Sequence, residues 1–320
     1  MGTRMQLSVL TADASQAIAC SAALEATLLR QGIDWYAFTA RPEGELKQLN
    51  AALHAGESMP VSASLLPLLQ AAVLMFERSD GYFDPAIQPL TEAWGFARLA
   101  DQSVETPTDI LARWHTDRPT LAALRIMGDH MGNQVSSNRR DLQLDLGAIA
   151  KGYALQLASR QLSAQGCADH ALNLGGQLAL QGAMAEHYPA VRIRSPRGNA
   201  YLAELQLKAG ESISTSGDYE RFTLRGGQRQ HHLLDPHTGM PVTHTQAVTV
   251  VSNDATLADA ASTALMAAGP AHWQRIARHL GVAQVLRVDA TGAVQVTAAL
   301  YARLHWLDPA TKDLVQIIEP

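Results

Sequence analysis

Asp259 and Thr263 stand four residues apart in SNDATLADAASTALMAAG, the small, Ala-rich stretch Ser252–Gly269. On a helix the two lie on one face, one turn apart. Two chemistries fit such a pair. One is capping, with Thr256 as the N-cap, Asp259 at the third helical position, and the Thr263 hydroxyl bonded one turn back. The other is a hard cation, because carboxylate and hydroxyl oxygens are the donors that Mg²⁺ prefers. A second candidate is DLGAIAKGYA, Asp145–Ala154. It reads as a strand that ends in a Gly turn and opens a helix carrying Lys151 early. Free N–H groups, the helix dipole and the lysine charge suit an anion; an ordinary turn with a solvated lysine fits as well. The segment is neither a Walker loop nor a dinucleotide fingerprint.

Three further stretches concentrate polar residues. NLGGQLALQG, Asn173–Gly182, has paired glycines suited to a turn or a close backbone approach. SISTSGDYERF, Ser212–Phe222, reads as a polar hairpin turn and lacks the nucleophile elbow of a serine hydrolase. HHLLDPHTGMPV, Val242 at its end, begins a run with histidines at 231, 232, 237 and 244. Their spacing matches no zinc motif, and no cysteine joins them. On a strand His231 and His232 point to opposite faces, so they do not share an ion. His232 suits a general base or acid near neutrality, while Asp-Pro-x-x-Gly is also a good turn.

The elements that must position these residues follow from periodicity. Met5–Leu10 alternates as a strand. Ala14–Arg30 and Ser64–Arg78 are helical, with Pro67 in the first turn and Ser79-Asp80-Gly81 as the stop. YFDPAIQPLTEAWGF is loop with a short helix, and Thr108–Arg113 and Leu121–Leu124 are short helical pieces. LQLDLG alternates as a strand and leads into a helix closed by Gly166. Strands are then expected at Ala171–Leu174, Leu178–Leu180, Ala190–Arg194, Leu202–Leu207, Glu220–Arg225, His231–Leu234 and Ala247–Ser252. The Ser252–Gly269 helix and another around Trp273–Leu280 precede a closing strand region. Helices first, then strands with inserted helices, imply α+β rather than a doubly wound sheet.

Composition narrows the function classes. The chain has 320 residues, 47% hydrophobic and 17% charged, which suits a folded core. A net charge of −5 without a Lys/Arg block argues against a nucleic-acid partner held through its phosphates. Cys20 and Cys167 are too few for a disulfide framework or a cysteine zinc site and are expected as buried free thiols. No apolar run reaches membrane-span length. The first twenty residues lack an apolar signal region, being interrupted by Ser8, Asp13 and Ser15. The expected compartment is the cytoplasm as the sequence is written, or the periplasm or inner membrane, as a lipoprotein, if a leader was removed.

Taken in order, MGT, DGYFDPAIQPLTEAWGF, DLGAIAKGYA, NLGGQLALQG, ISTSGDYERF, HHLLDPHTGMPV and ADAASTALM resemble the ApbE family of FAD:protein FMN transferases over nearly the whole chain. The resemblance implies a single α+β, T-fold-like domain spanning residues 1–320, with a strand-rich core, flanking helices and an FAD cleft between subdomains. It implies Mg²⁺-dependent cleavage of FAD, attachment of FMN through a phosphoester to Thr or Ser of an acceptor flavoprotein, and release of AMP. By motif position, Mg²⁺ takes the Ala148 carbonyl, Asp259 and Thr263. The flavin contacts Met1, Tyr82, Phe83, Asp84, Asp145, Lys151 and the backbone near Leu233. His232 is the candidate base, and Asp259 serves catalysis through the metal. Family members are commonly exported, and the family's acidic-Ser-x-x-Ser-x-x-Asn segment survives only loosely, as EGELKQLN. Two other outcomes share the fold: an FAD pyrophosphatase giving FMN and AMP, and an FAD-binding protein without transfer activity.

Overall fold

The computed structural model describes residues 4–97, 107–129, 132–225, 228–307 and 309–319. Its main sheet has eight strands, in the spatial order Met5–Val9, His170–Leu174, Gln177–Gln181, Ser212–Gly217, Thr245–Ser252, Gln284–Asp289, Val294–Thr297 and Gln316–Ile318. Every neighbouring pair is antiparallel except the last. Thr245–Ser252 lies inside the sheet and is buried on both faces, which is why TQAVTVVS is nearly continuous in apolar and β-branched residues.

The two faces carry different cores. Val248 and Val250 pack with Leu24, Leu69, Leu155 and Leu265, which belong to the helices Ala14–Asp34, Leu66–Arg78, Ala150–Ala164 and Ala255–Leu280. Ala247 and Val251 pack with Ile193 and Leu205 of a smaller sheet, Val191–Arg194, Tyr201–Leu205 and His305–Trp306. A satellite cluster joins Leu90, Trp94, Leu111, Trp114 and Leu234. Its two indoles donate hydrogen bonds to the 235–239 turn, Trp94 Nε1 to Gly239 O at 2.9 Å and Trp114 Nε1 to Pro236 O at 2.7 Å. The Asp-Pro-x-x-Gly turn is therefore anchored rather than free. This layering is the α+β class that the element order implies.

Several expectations are corrected. Ser212–Gly217 is a strand inside the main sheet, not a hairpin turn. Its small hydroxyls let the helix Ala255–Leu280 lie close: Ser216 Oγ is 2.8 Å from Ser262 Oγ, and Thr215 pairs with Thr249 across the sheet at 2.9 Å. LQLDLG, by contrast, is not a strand. Leu142, Leu144 and Leu146 are buried as the alternation predicts. The segment's backbone bonds go elsewhere, because the Asn50 amide takes both the Leu144 N–H and C=O, at 2.8 and 2.9 Å, and Asp145 N–H donates to Pro85 O. The expected strand His231–Leu234 is instead Gln228–His231, with Leu234 in a single bridge to Pro241.

The helix of the opening pair starts at Ala255, not Ser252, and its N-cap is Asp254, whose carboxylate accepts from Leu257 N–H. Thr256 is therefore not the cap, and Asp259 sits in the second turn, past the positions a cap uses. The capping account of Asp259 fails. The helix continues to Leu280 through a break at Gly269, whose φ of 62° lies in the left-handed region beside the His244 ring. Cys20 and Cys167 are buried as expected but are not free: they form a disulfide. They stand 147 positions apart, and only the packing of Ala14–Asp34 against Ala150–Ala164 brings them together.

Candidate functional site

One deep pocket of about 630 Å³ opens between the helical layer and the sheet. Ten of the eleven residues singled out from the sequence line it: Tyr82, Phe83, Asp84, Asp145, Ala148, Lys151, His232, Leu233, Asp259 and Thr263. Met1 lies outside the described residues. The sequence separates these ten by as much as 181 positions, so only the fold gathers them. Tyr82–Asp84 follow the stop of Leu66–Arg78, where Asp80 and Gly81 both have positive φ and turn the chain into the pocket. Asp145, Ala148 and Lys151 come from the entry to Ala150–Ala164, and Asp259 and Thr263 from one face of Ala255–Leu280.

The oxygen cluster is built by two helices in close contact. Gly152 makes this possible: a Cβ there would clash with the Ala255 carbonyl and lie 2.6 Å from Asp259 Cβ. Its N–H donates to Asp259 Oδ2 at 2.8 Å, so the carboxylate sits on the start of Ala150–Ala164, where the helix dipole favours an anion. Gln177 Nε2 donates to Asp259 Oδ1, and Lys151 Nζ lies 3.6 Å from the same oxygen. Burial pushes the Asp259 carboxyl above the usual carboxylate range, with Lys151 and the hydrogen bonds pulling the other way. Thr263 Oγ1 is 3.1 Å from Ser216 Oγ. Lys151 also donates to Gly147 O at 3.0 Å, and Asp145 accepts from Gly147 N–H at 2.9 Å. Burial raises the Asp145 carboxyl as well.

The second side of the pocket is the 231–236 loop. His231 is buried, with Nε2 donating to Val242 O and Nδ1 accepting from Leu233 N–H. His232 faces the pocket instead, as the alternation of the two histidines requires. Its Nδ1 lies 3.2 Å from Arg221 O, and a carbonyl only accepts. Nδ1 therefore carries the proton and Nε2 keeps its lone pair. Burial pushes the His232 imidazole down to about 3, and the neighbouring Arg221 charge adds to the effect. The ring is neutral across the physiological range.

The sequence did not flag Gly152, Gln177, Ser216 or Arg221, nor Tyr36 and Phe38, an edge-to-face pair at 5.7 Å on the pocket wall. Gly152, Gln177, Ser216 and Arg221 all stand inside quoted motifs, and Tyr36 and Phe38 outside them; the role of each depends on a contact far along the chain. Among the described residues no group of three His, Cys, Asp or Glu side chains is arranged to hold a metal. An ion held by Asp259, Thr263 and the Ala148 carbonyl would meet one carboxylate, one hydroxyl and one carbonyl, all hard oxygens. That donor set fits Mg²⁺ and does not fit zinc.

Fold and pocket together define a mixed α/β protein whose pocket sets a wall of tyrosines and phenylalanines beside a cluster of hard oxygens. Residues 1–286 match the ApbE family. A Rhodobacter capsulatus protein named FAD:protein FMN transferase is 38% identical over 304 residues, 95% of this chain and 57% of that protein. The chain thus spans little more than half of that relative's length. A Salmonella typhimurium protein of the same name is 30% identical over 288 residues, 88% of this chain and 81% of that protein. The crystal structure of an ApbE protein from Thermotoga maritima superposes with a TM-score of 0.81 at 27% identity, covering 94% of this chain and 96% of that one. The chain belongs to the ApbE family.

Proposed function

We propose that this chain is a Mg²⁺-dependent FAD:protein FMN transferase, folded as one domain over residues 1–320. Membership of the family supports it, and the observation that carries it is the buried Asp259 carboxylate sharing one pocket with Thr263, Ala148, Lys151 and His232. FAD is the substrate, and the acceptor is a Thr or Ser hydroxyl of another flavoprotein. The acceptor oxygen bonds to the phosphorus on the FMN side, the bond to the AMP phosphate breaks, and AMP leaves. His232 Nε2 takes the hydroxyl proton. Its depressed basicity is a property of the pocket without ligand: the pyrophosphate's negative charge beside Arg221 raises it. Lys151 and Arg221 orient the phosphates, while Tyr36, Phe38, Tyr82 and Phe83 hold the flavin rings and exclude water. Ala148 O, Asp259 and Thr263 would hold Mg²⁺, which when bound neutralises charge developing on the phosphates.

Among the described residues no helix is long and apolar enough to cross a membrane. The Cys20–Cys167 disulfide supports an oxidising compartment, and so the exported alternative for this protein. The deciding experiment mixes the protein, FAD, Mg²⁺ and candidate acceptor domains. A fluorescent acceptor band with a mass gain of one FMN supports the reading. Free FMN and AMP with no acceptor labelling would instead make the protein a pyrophosphatase.

A further inference from the structure

The Asn173–Gln177 segment has a purpose beyond turning the chain. Leu174 and Gln177 are the closing pair of a two-residue hairpin, with Gly175 and Gly176 at φ 61° and 91°. Two successive positive φ values define the tight turn that matches strand twist, and only glycine takes both at no cost. The Asn173 side chain accepts from Gly176 N–H at 3.0 Å and Gly175 N–H donates to Arg4 O, which fix the turn at both ends. The residue so positioned, Gln177, is 4% exposed and lines the pocket. Its Nε2 holds Asp259 Oδ1, and its Oε1 is buried with no partner. A sealed acceptor without a donor is costly and calls for an explanation.

We propose that Gln177 is a positioning residue for the divalent cation: it orients Asp259 for the ion and completes its own hydrogen bonding only when the ligand set is bound. This rests on the magnesium reading above. Both Asp259 oxygens are held, Oδ2 by Gly152 and Oδ1 by Gln177, so the side chain cannot rotate away. Each carboxylate oxygen can accept more than one bond, and among the described residues Lys151 Nζ, 3.6 Å from Oδ1, is the one other charged group beside them. An amide is the suitable partner. With Lys151 already beside Oδ1, a neutral donor adds no further charge there, whereas a carboxylate would repel Asp259. The unpaired Oε1 is an acceptor for the hydration that Mg²⁺ surrenders reluctantly. Partners one step removed from a metal typically set its affinity by about 10–100-fold.

The test uses FAD-loaded full-length protein and Mn²⁺ as the probe, with free ion followed by electron paramagnetic resonance and Mg²⁺ added in competition. Gln177→Met keeps the side-chain length and removes both hydrogen-bonding atoms. Its affinity for Mn²⁺ and Mg²⁺ should drop about 10–100-fold. FAD affinity in EDTA should stay within about twofold of wild type, and saturating Mg²⁺ should restore the transfer rate. If Gln177→Met does not fold, Gln177→Asn, which withdraws the amide by one methylene, should show the same loss. Equal ion affinity in wild type and a folded variant would overturn the proposal and leave the magnesium reading standing. Absence of any ion uptake by wild-type protein with FAD would overturn both.

Discussion

Asp84 offers a prediction whose size follows from its surroundings. It is 6% exposed, its Oδ1 accepts from Ala86 N–H at 3.0 Å and Leu121 N–H at 3.1 Å, and its Oδ2 is buried without a partner. Burial outweighs both bonds and the nearby Arg118, pushing the carboxyl from 3.8 up to about 6. The folded state therefore holds this proton more tightly than the unfolded chain. Its stabilising effect is complete below pH 3.8 and is lost as pH rises through about 6. At about 1.4 kcal/mol per pH unit the full loss is about 3 kcal/mol, of which about 1.4 kcal/mol falls between pH 5 and pH 7.5. Asp84→Asn keeps an oxygen for the two N–H groups and removes the titration. Urea unfolding of both ligand-free proteins at the two pH values cancels whatever constant cost the buried amide brings. The variant should gain about 1.4 kcal/mol on wild type between pH 5 and pH 7.5. A stability difference that does not change with pH would show that the two N–H bonds, not burial, govern Asp84, and the reasoning would fail.

Further outcomes follow from the same geometry. Asp259→Ala should lower FMN transfer by about three orders of magnitude while FAD still binds, because charge neutralisation at phosphate contributes several kcal/mol; full activity in metal-buffered assays would remove Asp259 from the site. His232→Ala should lose about 10²–10⁴-fold in rate with FAD affinity nearly unchanged, and in the ligand-free protein its imidazole should stay neutral by NMR at pH 5. His231→Ala, in contrast, should cost melting temperature, since the buried ring pairs Val242 O and Leu233 N–H; equal rate and melting losses in the two variants would strip His232 of its role. Gly152→Ala should cost about 1–3 kcal/mol in urea unfolding and weaken the Mg²⁺ response, because its Cβ meets Ala255 and Asp259. Replacing Cys20 and Cys167 with serine should cost up to about 5 kcal/mol for a bridge spanning 147 residues, and a non-reducing mass measurement that finds two free thiols would exclude the bridge.

Much of this protein was readable from sequence because the signals were local or came as an ordered set of words. The helices Ala14–Asp34, Leu66–Arg78 and Ala150–Ala164 declare themselves by apolar period and by Pro67 and Gly166, and ten pocket residues were named from motif position. What the sequence could not settle was any question whose answer is a contact. By spacing alone Asp259 in an Ala-rich helix reads more readily as a cap than as a ligand, until Asp254 is seen to cap and Gly152 and Gln177 are seen to hold the carboxylate. Ser212–Gly217 looks like a turn because its hydroxyls are polar, yet it is an interior strand because a helix of small residues packs on it. Leu142–Leu146 alternate like a strand without becoming one, since a single amide, Asn50, supplies the pairing. The basicity of His232 was set by burial and by Arg221, neither visible along the chain. Periodicity and turn chemistry act over a few residues and are written in order; burial, pairing and electrostatics depend on which distant segments meet, and only the folded chain decides that.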